Sequence, residues 1–124
     1  LSIAMVDIDD FKRINDSKGH VTGDQVLCAV ADIIKNSIRD TDLAARYGGD
    51  EFAVVFPGTE ARTAAGVMER VRQAVNSRAV LEGLAVTLST GVAQYSGEEL
   101  AQFIDEADKK LYEAKHSGKN KVEA

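Results

Sequence analysis

Mostly apolar residues open the chain. Leu1, Ile3, Ala4, Met5 and Val6 lead to Asp7, which predicts a buried strand over Leu1 to Asp7. The acidic cluster Asp7-Ile8-Asp9-Asp10 ends it, and Phe11 to Asp16 reads as a short helical turn. Lys18-Gly19-His20 and Gly23 mark a loop, with His20 a structural histidine in a turn. From Asp24 to about Arg39, Val26, Leu27, Val30, Ile33, Ile34 and Ile38 recur at helical spacing. Leu43 to Tyr47 is a short strand, Gly48-Gly49 a tight turn, and Asp50 to Phe56 a second strand of that hairpin. Pro57-Gly58-Thr59 breaks the pattern, with Thr59 as the expected N-cap of a helix running to about Asn76. Leu84 to Val92 predicts another strand, bent at Gly91. Glu98 to about His116 predicts a last helix, with Leu100, Phe103, Ile104, Ala107, Leu111 and Ala114 inward and Gly118 as its stop.

The first six elements follow a βαββαβ order, the split βαβ pattern of ferredoxin-like α+β folds. In that pattern the first and third strands are antiparallel neighbours. The end of the first, Asp7, then lies beside the start of the third, Asp50.

Composition narrows the function classes. The 124 residues suit one domain, and 44% apolar content supports a single core. The formal charge of −5 argues against nucleic-acid binding. An acidic chain can still bind a nucleotide where a metal ion and a few lysines meet the phosphates. Cys28, the lone cysteine, is expected to pack as a small hydrophobe in its apolar helix. No apolar run reaches membrane-spanning length. The abrupt start inside a strand reads as a fragment of a longer protein.

Two neighbouring carboxylates repel unless a proton or a cation sits between them. A small set of oxygen ligands with open positions suits Mg²⁺, which keeps waters and binds substrate phosphates. The plainer reading is that Asp9 and Asp10 cap the following helix and that Asp50-Glu51 faces solvent.

Arg46-Tyr47-Gly48-Gly49-Asp50-Glu51-Phe52 carries a GGDEF signature. Upstream stand Asp7-Ile8-Asp9, Phe11-Lys12, Asn15-Asp16, Gly19-His20 and Gly23-Asp24. Downstream stand Ser89-Thr90-Gly91-Val92, Ala107-Asp108, Tyr112, Ala114-Lys115 and Gly118-Lys119-Asn120. Taken together, this ordered set resembles the GGDEF family of diguanylate cyclases over essentially the whole chain. The resemblance implies one domain over residues 1–124 lacking an N-terminal helical segment, with a palm-type sheet. It implies an enzyme that condenses two GTP into cyclic di-GMP plus two pyrophosphates, as a homodimer, with Mg²⁺ or Mn²⁺. It also implies a cytoplasmic module, including the cytoplasmic part of a membrane-anchored bacterial protein, covalently attached to a sensory or regulatory domain.

The resemblance assigns roles by position. Asp7, Asp50 and the backbone carbonyl of Ile8 are metal ligands. Asp50 also helps deprotonate the attacking 3′-hydroxyl, and Glu51 is a further acidic member of the site. Backbone N–H groups from Asp9 to Lys12 cradle phosphates at a helix start. Lys12 is the transition-state cation, and Lys115 and Lys119 bind phosphate. The family more often has arginine where Lys119 stands, and lysine lacks its bidentate fork. Gly48 and Gly49 allow close backbone approach to the nucleotide. Phe11, Asn15 and Asp24 line the GTP pocket. Asp24 can accept from both N1–H and the exocyclic amine of guanine, a donor pair that adenine lacks. As surface charges, Lys115 and Lys119 would otherwise be unremarkable, and Asp24 would serve its helix N-terminus.

Arg39-Asp40-Thr41-Asp42 has the RxxD form, where the family places an inhibitory cyclic di-GMP site; Arg70 resembles the arginine that completes it from a neighbouring copy. A surface ion pair is the plain alternative. Two rival functions stay open. One is a catalytically inactive GGDEF module acting as a GTP or cyclic di-GMP receptor. The other is an unrelated two-metal nucleotidyl transferase on a palm-like sheet.

Overall fold

The computed structural model describes residues 1–77, 80–81 and 83–124. The elements run β1 (Ser2–Ile8), α1 (Phe11–Lys18), α2 (His20–Ser37), β2 (Leu43–Arg46), β3 (Glu51–Phe56), α3 (Ala61–Ser77), β4 (Leu88–Gln94), α4 (Leu100–His116) and β5 (Lys121–Glu123). The sheet order is β2-β3-β1-β4-β5. Its first four strands have the expected split βαβ arrangement, with β1 antiparallel to both β3 and β4. The short β5, parallel to β4, was absent from the expected elements.

The sheet separates two apolar layers by strand alternation. On one face Ala4, Val6 and Ile8 join Phe52, Val54 and Phe56, covered by Val26, Val30 and Ile34 of α2 and Met68, Val71 and Val75 of α3. On the other, Ile3, Met5 and Ala93 pack under Phe103, Ala107 and Leu111 of α4. This explains why Ile3 to Val6 of β1 are all apolar: the strand is central and covered on both sides. Among the described residues no helix is long and apolar enough to cross a membrane.

Several local expectations are corrected. Gly23 is not a loop residue. The break falls at Gly19, whose φ of +89° separates α1 from α2, and Gly23 lies inside α2. His20 is an exposed helix-opening residue rather than a turn histidine. Asp24 therefore sits in the second turn of α2 and does not begin it. Cys28 is exposed, because Val26, Leu27, Val30 and Ile34 set the buried face of α2. Leu100 is also exposed, at the first residue of α4. Thr59 does not cap α3; its hydroxyl donates to the Pro57 carbonyl (2.9 Å) and accepts from Arg39 (2.9 Å). β4 begins at Leu88 rather than Leu84, since Leu84 N–H closes a turn on the Leu81 carbonyl (3.1 Å).

Gly91 does not bend its strand; it lets α4 approach. A Cβ there would stand 2.2 Å from both the Ala107 carbonyl oxygen and the Leu111 nitrogen. The neighbours are helix backbone, which cannot swing aside. Gly91→Ala is expected to cost about 2–4 kcal/mol of folding stability, read as a lower urea midpoint with an unchanged slope.

Candidate active site

The alternation that buries Ile3 and Met5 under α4 also turns Asp7, at the end of β1, toward that helix. Asp7 pairs in register with Glu51, and the Ile8 N–H donates to the Asp50 carbonyl at 3.2 Å. The expected meeting of Asp7 and Asp50 is present: Asp50 directly precedes β3 beside the end of β1, and its carboxyl stands near enough to help raise the Asp7 pKa. Burial, reinforced by that neighbour, raises the Asp7 pKa to about 7 although Lys115 opposes the rise.

Lys115, in the last turn of α4, supplies the local positive charge. Its Nζ is 3.2 Å from Asp7 Oδ2 and 2.9 Å from Asp9 Oδ1. Burial works against its charged form, but the two aspartates outweigh it and hold its pKa above the usual lysine value. Asp9 is the best-satisfied carboxylate of the site. It accepts from the hydroxyls of Thr87 (2.7 Å) and Ser89 (2.6 Å), from Lys115, and from the Asn120 N–H (3.0 Å). Burial alone would raise its pKa, yet these donors hold it below the ordinary carboxylate value.

Asp7 Oδ1, by contrast, is buried and accepts from no donor among the described residues. An orphaned buried carboxylate oxygen beside a second carboxyl is a place a cation fits. Among the described residues no three His, Cys, Asp or Glu side chains converge on one point. Two carboxylates offer few ligands and leave open positions. That suits Mg²⁺ or Mn²⁺ better than a closed structural metal site.

The start of α1 lies next to these carboxylates. Its expected cradle is one donor shorter than foreseen, because the Asp9 N–H is taken by the Thr87 carbonyl (3.0 Å). The N–H groups of Asp10, Phe11 and Lys12 remain at the helix start. Lys12 is exposed and has no ion pair among the described residues, while Lys119 Nζ pairs with Asp10 Oδ1 at 2.8 Å. Farther along, Phe11 and Asn15 of α1 meet α2 at Gly23, beside Asp24. A Cβ on Gly23 would fall 1.8 Å from Asn15 Oδ1 and 3.3 Å from the Phe11 ring, so glycine makes room for both. Topology therefore gathers Phe11, Asn15 and Asp24 at one helix crossing.

The signature connection is longer than a two-residue turn. Residues 47–50 join β2 to β3, and neither Gly48 nor Gly49 has a left-handed φ. Arg46 donates to the carbonyls of Gly48 (3.2 Å) and Gly49 (2.6 Å), and Tyr47 N–H donates to the Glu51 carbonyl (2.8 Å). Any side chain could adopt this backbone. A Cβ on Gly49 would meet only open space, so the protein's own turn does not require a glycine there.

The profile described as "Diguanylate cyclase, GGDEF domain" matches residues 1–121. The chain belongs to the GGDEF family. Diguanylate cyclase A of Treponema denticola is 46% identical over 127 residues, covering 98% of this chain and 34% of the relative. Diguanylate cyclase DgcS of Shewanella oneidensis is 44% identical over 122 residues, covering 97% and 40% respectively. The chain thus spans well under half the length of these two curated relatives. Among solved structures, the GGDEF domain of DgcB from Caulobacter crescentus, in complex with c-di-GMP, superimposes with a TM-score of 0.92. It is 40% identical and covers 99% of this chain and 76% of that one. The active GGEEF domain of a diguanylate cyclase from Vibrio cholerae gives a TM-score of 0.93 at 35% identity, covering 98% and 80%.

In this GGDEF domain the RxxD residues stand apart from the carboxylates. Arg39 donates to Asp42 through Nε (3.3 Å) and a terminal nitrogen (2.9 Å), and also reaches the Pro57 carbonyl. The Asp42 side chain is 2% exposed and that of Arg39 60%. The motif is built as an ion pair with a buried acceptor, and Arg39 holds the Asp42 carboxyl below its ordinary pKa. Both residues border a groove of about 690 Å³ between α2 and β2, lined also by Leu27, Cys28, Ile38 and Phe52. That groove contains none of Asp7, Asp50 and Lys115. Arg70 is exposed on α3.

Sequence reasoning gave no side-chain role in the site to Asp9, Thr87, Asn120 or Arg46, and missed Arg72, which donates to Asn120 Oδ1 (2.8 Å). Asp9, Asn120 and Arg46 all stood within the motifs quoted for the resemblance.

The raised pKa of Asp7 predicts how pH acts on the metal-free GGDEF domain. The folded carboxyl binds its proton up to about pH 7, the unfolded one only up to its ordinary 3.8. Its ionisation in the fold therefore costs stability as pH rises through that window, and costs nothing below it. In EDTA, Asp7→Asn is expected to be more stable than the wild type by about 1–3 kcal/mol near pH 8, the gain vanishing toward about pH 4. Thermal melts across that range check it.

Proposed function

We propose that this chain is the catalytic module of a diguanylate cyclase, joining two GTP into cyclic di-GMP with release of two pyrophosphates. The observation that carries this reading is the meeting of Asp7 and Asp50 from separate strands, with a buried Asp7 oxygen that lacks a donor among the described residues and Lys115 alongside.

Asp7, Asp50 and the Ile8 carbonyl would hold Mg²⁺ or Mn²⁺. When bound, the ion lowers the pKa of a coordinated hydroxyl and offsets charge at the α-phosphate. The chain's own groups do the rest. Asp24 accepts from the guanine edge and Asn15 contributes a polar amide beside it, while Phe11 closes the apolar side. A base lacking the N1–H and exocyclic amine pair leaves the Asp24 carboxylate unpaired, which favours GTP over ATP. The N–H groups at the start of α1 and the ammonium groups of Lys12, Lys115 and Lys119 neutralise the triphosphate. Gly48 and Gly49 leave the turn open for the nucleotide. Asp50 receives the proton of the attacking 3′-hydroxyl, and Glu51 adds negative charge next to it. The new 3′–5′ phosphodiester bond forms as the bond from the α-phosphate to pyrophosphate breaks.

One site binds one GTP, whereas the product contains two such bonds. Two copies must face each other, each presenting its 3′-hydroxyl to the other's α-phosphate. A GTP substrate suits a cytoplasmic module attached to a sensory or regulatory domain. At the RxxD site, cyclic di-GMP would engage Arg39 and Asp42 from outside the carboxylate centre, with Arg70 supplied by a second copy. Arg39 is half free for this: it is anchored on Asp42 and remains largely exposed.

Two outcomes test the reading. Asp50→Asn is expected to lower cyclic di-GMP formation from GTP and Mg²⁺ by at least about 100-fold while the fold persists. Near-normal turnover by that variant would refute the assignment, and inactive wild type that still binds GTP would favour a receptor. Specific activity of the wild type should also fall as the protein is diluted below its dimerisation range; constant activity per chain would contradict the two-copy mechanism.

A further inference from the structure

Lys115 has a contact that a pure phosphate ligand would not need. Its ammonium lies against Asp7 Oδ2 at 3.2 Å, next to the oxygens that would hold the cation. The nearer contact is Asp9 at 2.9 Å, and Asp9 is itself fixed by Thr87, Ser89 and Asn120. Asn120 is fixed in turn by Arg72, which grips Glu69 (2.6 Å) on the same helix. Lys115 is therefore tethered on one side by a rigid, saturated carboxylate and touches Asp7 on the other. A divalent ion entering between Asp7 and Asp50 would meet this ammonium at short range. The same side chain lies close to the start of α1, since its nearer partner, Asp9, stands two residues before Phe11.

We propose that Lys115, held by Asp9, is a resident counter-ion that closes the Asp7–Asp50 site to a bare divalent cation, so that the ion enters together with a nucleoside triphosphate. The polyanion gives the Asp7-facing side of the ammonium a new partner, while Asp9 keeps the other side. Metal and nucleotide then bind with strong mutual dependence, and by linkage each strengthens the other equally. This rests on the cyclase reading of the carboxylate pair.

The test uses Mn²⁺ as probe, its free form followed by electron paramagnetic resonance, with the whole protein. Titrations are run without nucleotide and with a GTP analogue that cannot lose pyrophosphate. Wild type is expected to bind Mn²⁺ weakly alone and much more tightly with the analogue. Lys115→Gln and Lys115→Met, each checked for folding by a thermal melt, should bind bare Mn²⁺ at least about fivefold more tightly, because one nearby positive charge is gone. In both variants the analogue should enhance Mn²⁺ binding less. Lys115→Arg keeps the charge and should restore weak bare binding. Unchanged or weaker bare binding in both neutral variants would overturn the counter-ion role while leaving the cyclase reading intact. Wild type that binds no Mn²⁺ even with the analogue would overturn both.

Discussion

The site depends on one electrostatic constraint: two carboxylates brought together at neighbouring strand ends need positive charge between or beside them. Asp7 comes from β1 and Asp50 from just before β3, and the antiparallel pairing of those strands makes their approach unavoidable. The protein meets the constraint in part through Lys115 and leaves Asp7 Oδ1 without a donor. That partial solution separates a binding site from a structural ion pair. Asp9 is the contrast: two residues away, it accepts from four donors, and its pKa is lowered rather than raised.

The scaffold serves this arrangement through close approaches that only glycine permits. Gly91 lets α4 lie against the sheet, which carries Lys115 to Asp7 and Asp9. Gly23 lets Asn15 and Phe11 settle on α2 next to Asp24. The turn after α4 places two consecutive non-glycine residues, Lys119 and Asn120, at φ of 60° and 49°. Such backbone persists only where surrounding contacts outweigh its cost. Here the bonds from Asn120 to Asp9 and from Arg72 to Asn120, with the Lys119 N–H on the Ala114 carbonyl (3.0 Å), hold it in place. The strained turn is what delivers Lys119 to Asp10.

Much of this was legible in the sequence. The apolar run of β1, the hairpin around Gly48-Gly49 and the helical periodicity of α2 carried the topology, and the topology alone placed Asp7 beside Asp50. The motif resemblance then proposed the remaining contributors. Features set by tertiary packing were not legible. β5 has three residues and no distinctive period, so nothing local marks it as a strand. Gly23 looked like a loop because a glycine inside a helix is locally unfavourable, and its reason is a neighbouring helix. Cys28 and Leu100 looked buried by residue type, but burial follows helix phase and helix ends. Asp9 looked like a helix cap, and only the contacts from β4 and the last turn disclose it as the anchor of Lys115.

The most direct test of the central claim is the position of a bound ion. Crystals of the protein grown with Mn²⁺ and a GTP analogue that cannot lose pyrophosphate would locate the metal by its anomalous signal. The account requires that signal within ligand distance of carboxylate oxygens from both Asp7 and Asp50, with Lys115 turned from Asp7 toward phosphate. A nucleotide bound with its metal elsewhere, and Lys115 still seated on Asp7, would contradict it.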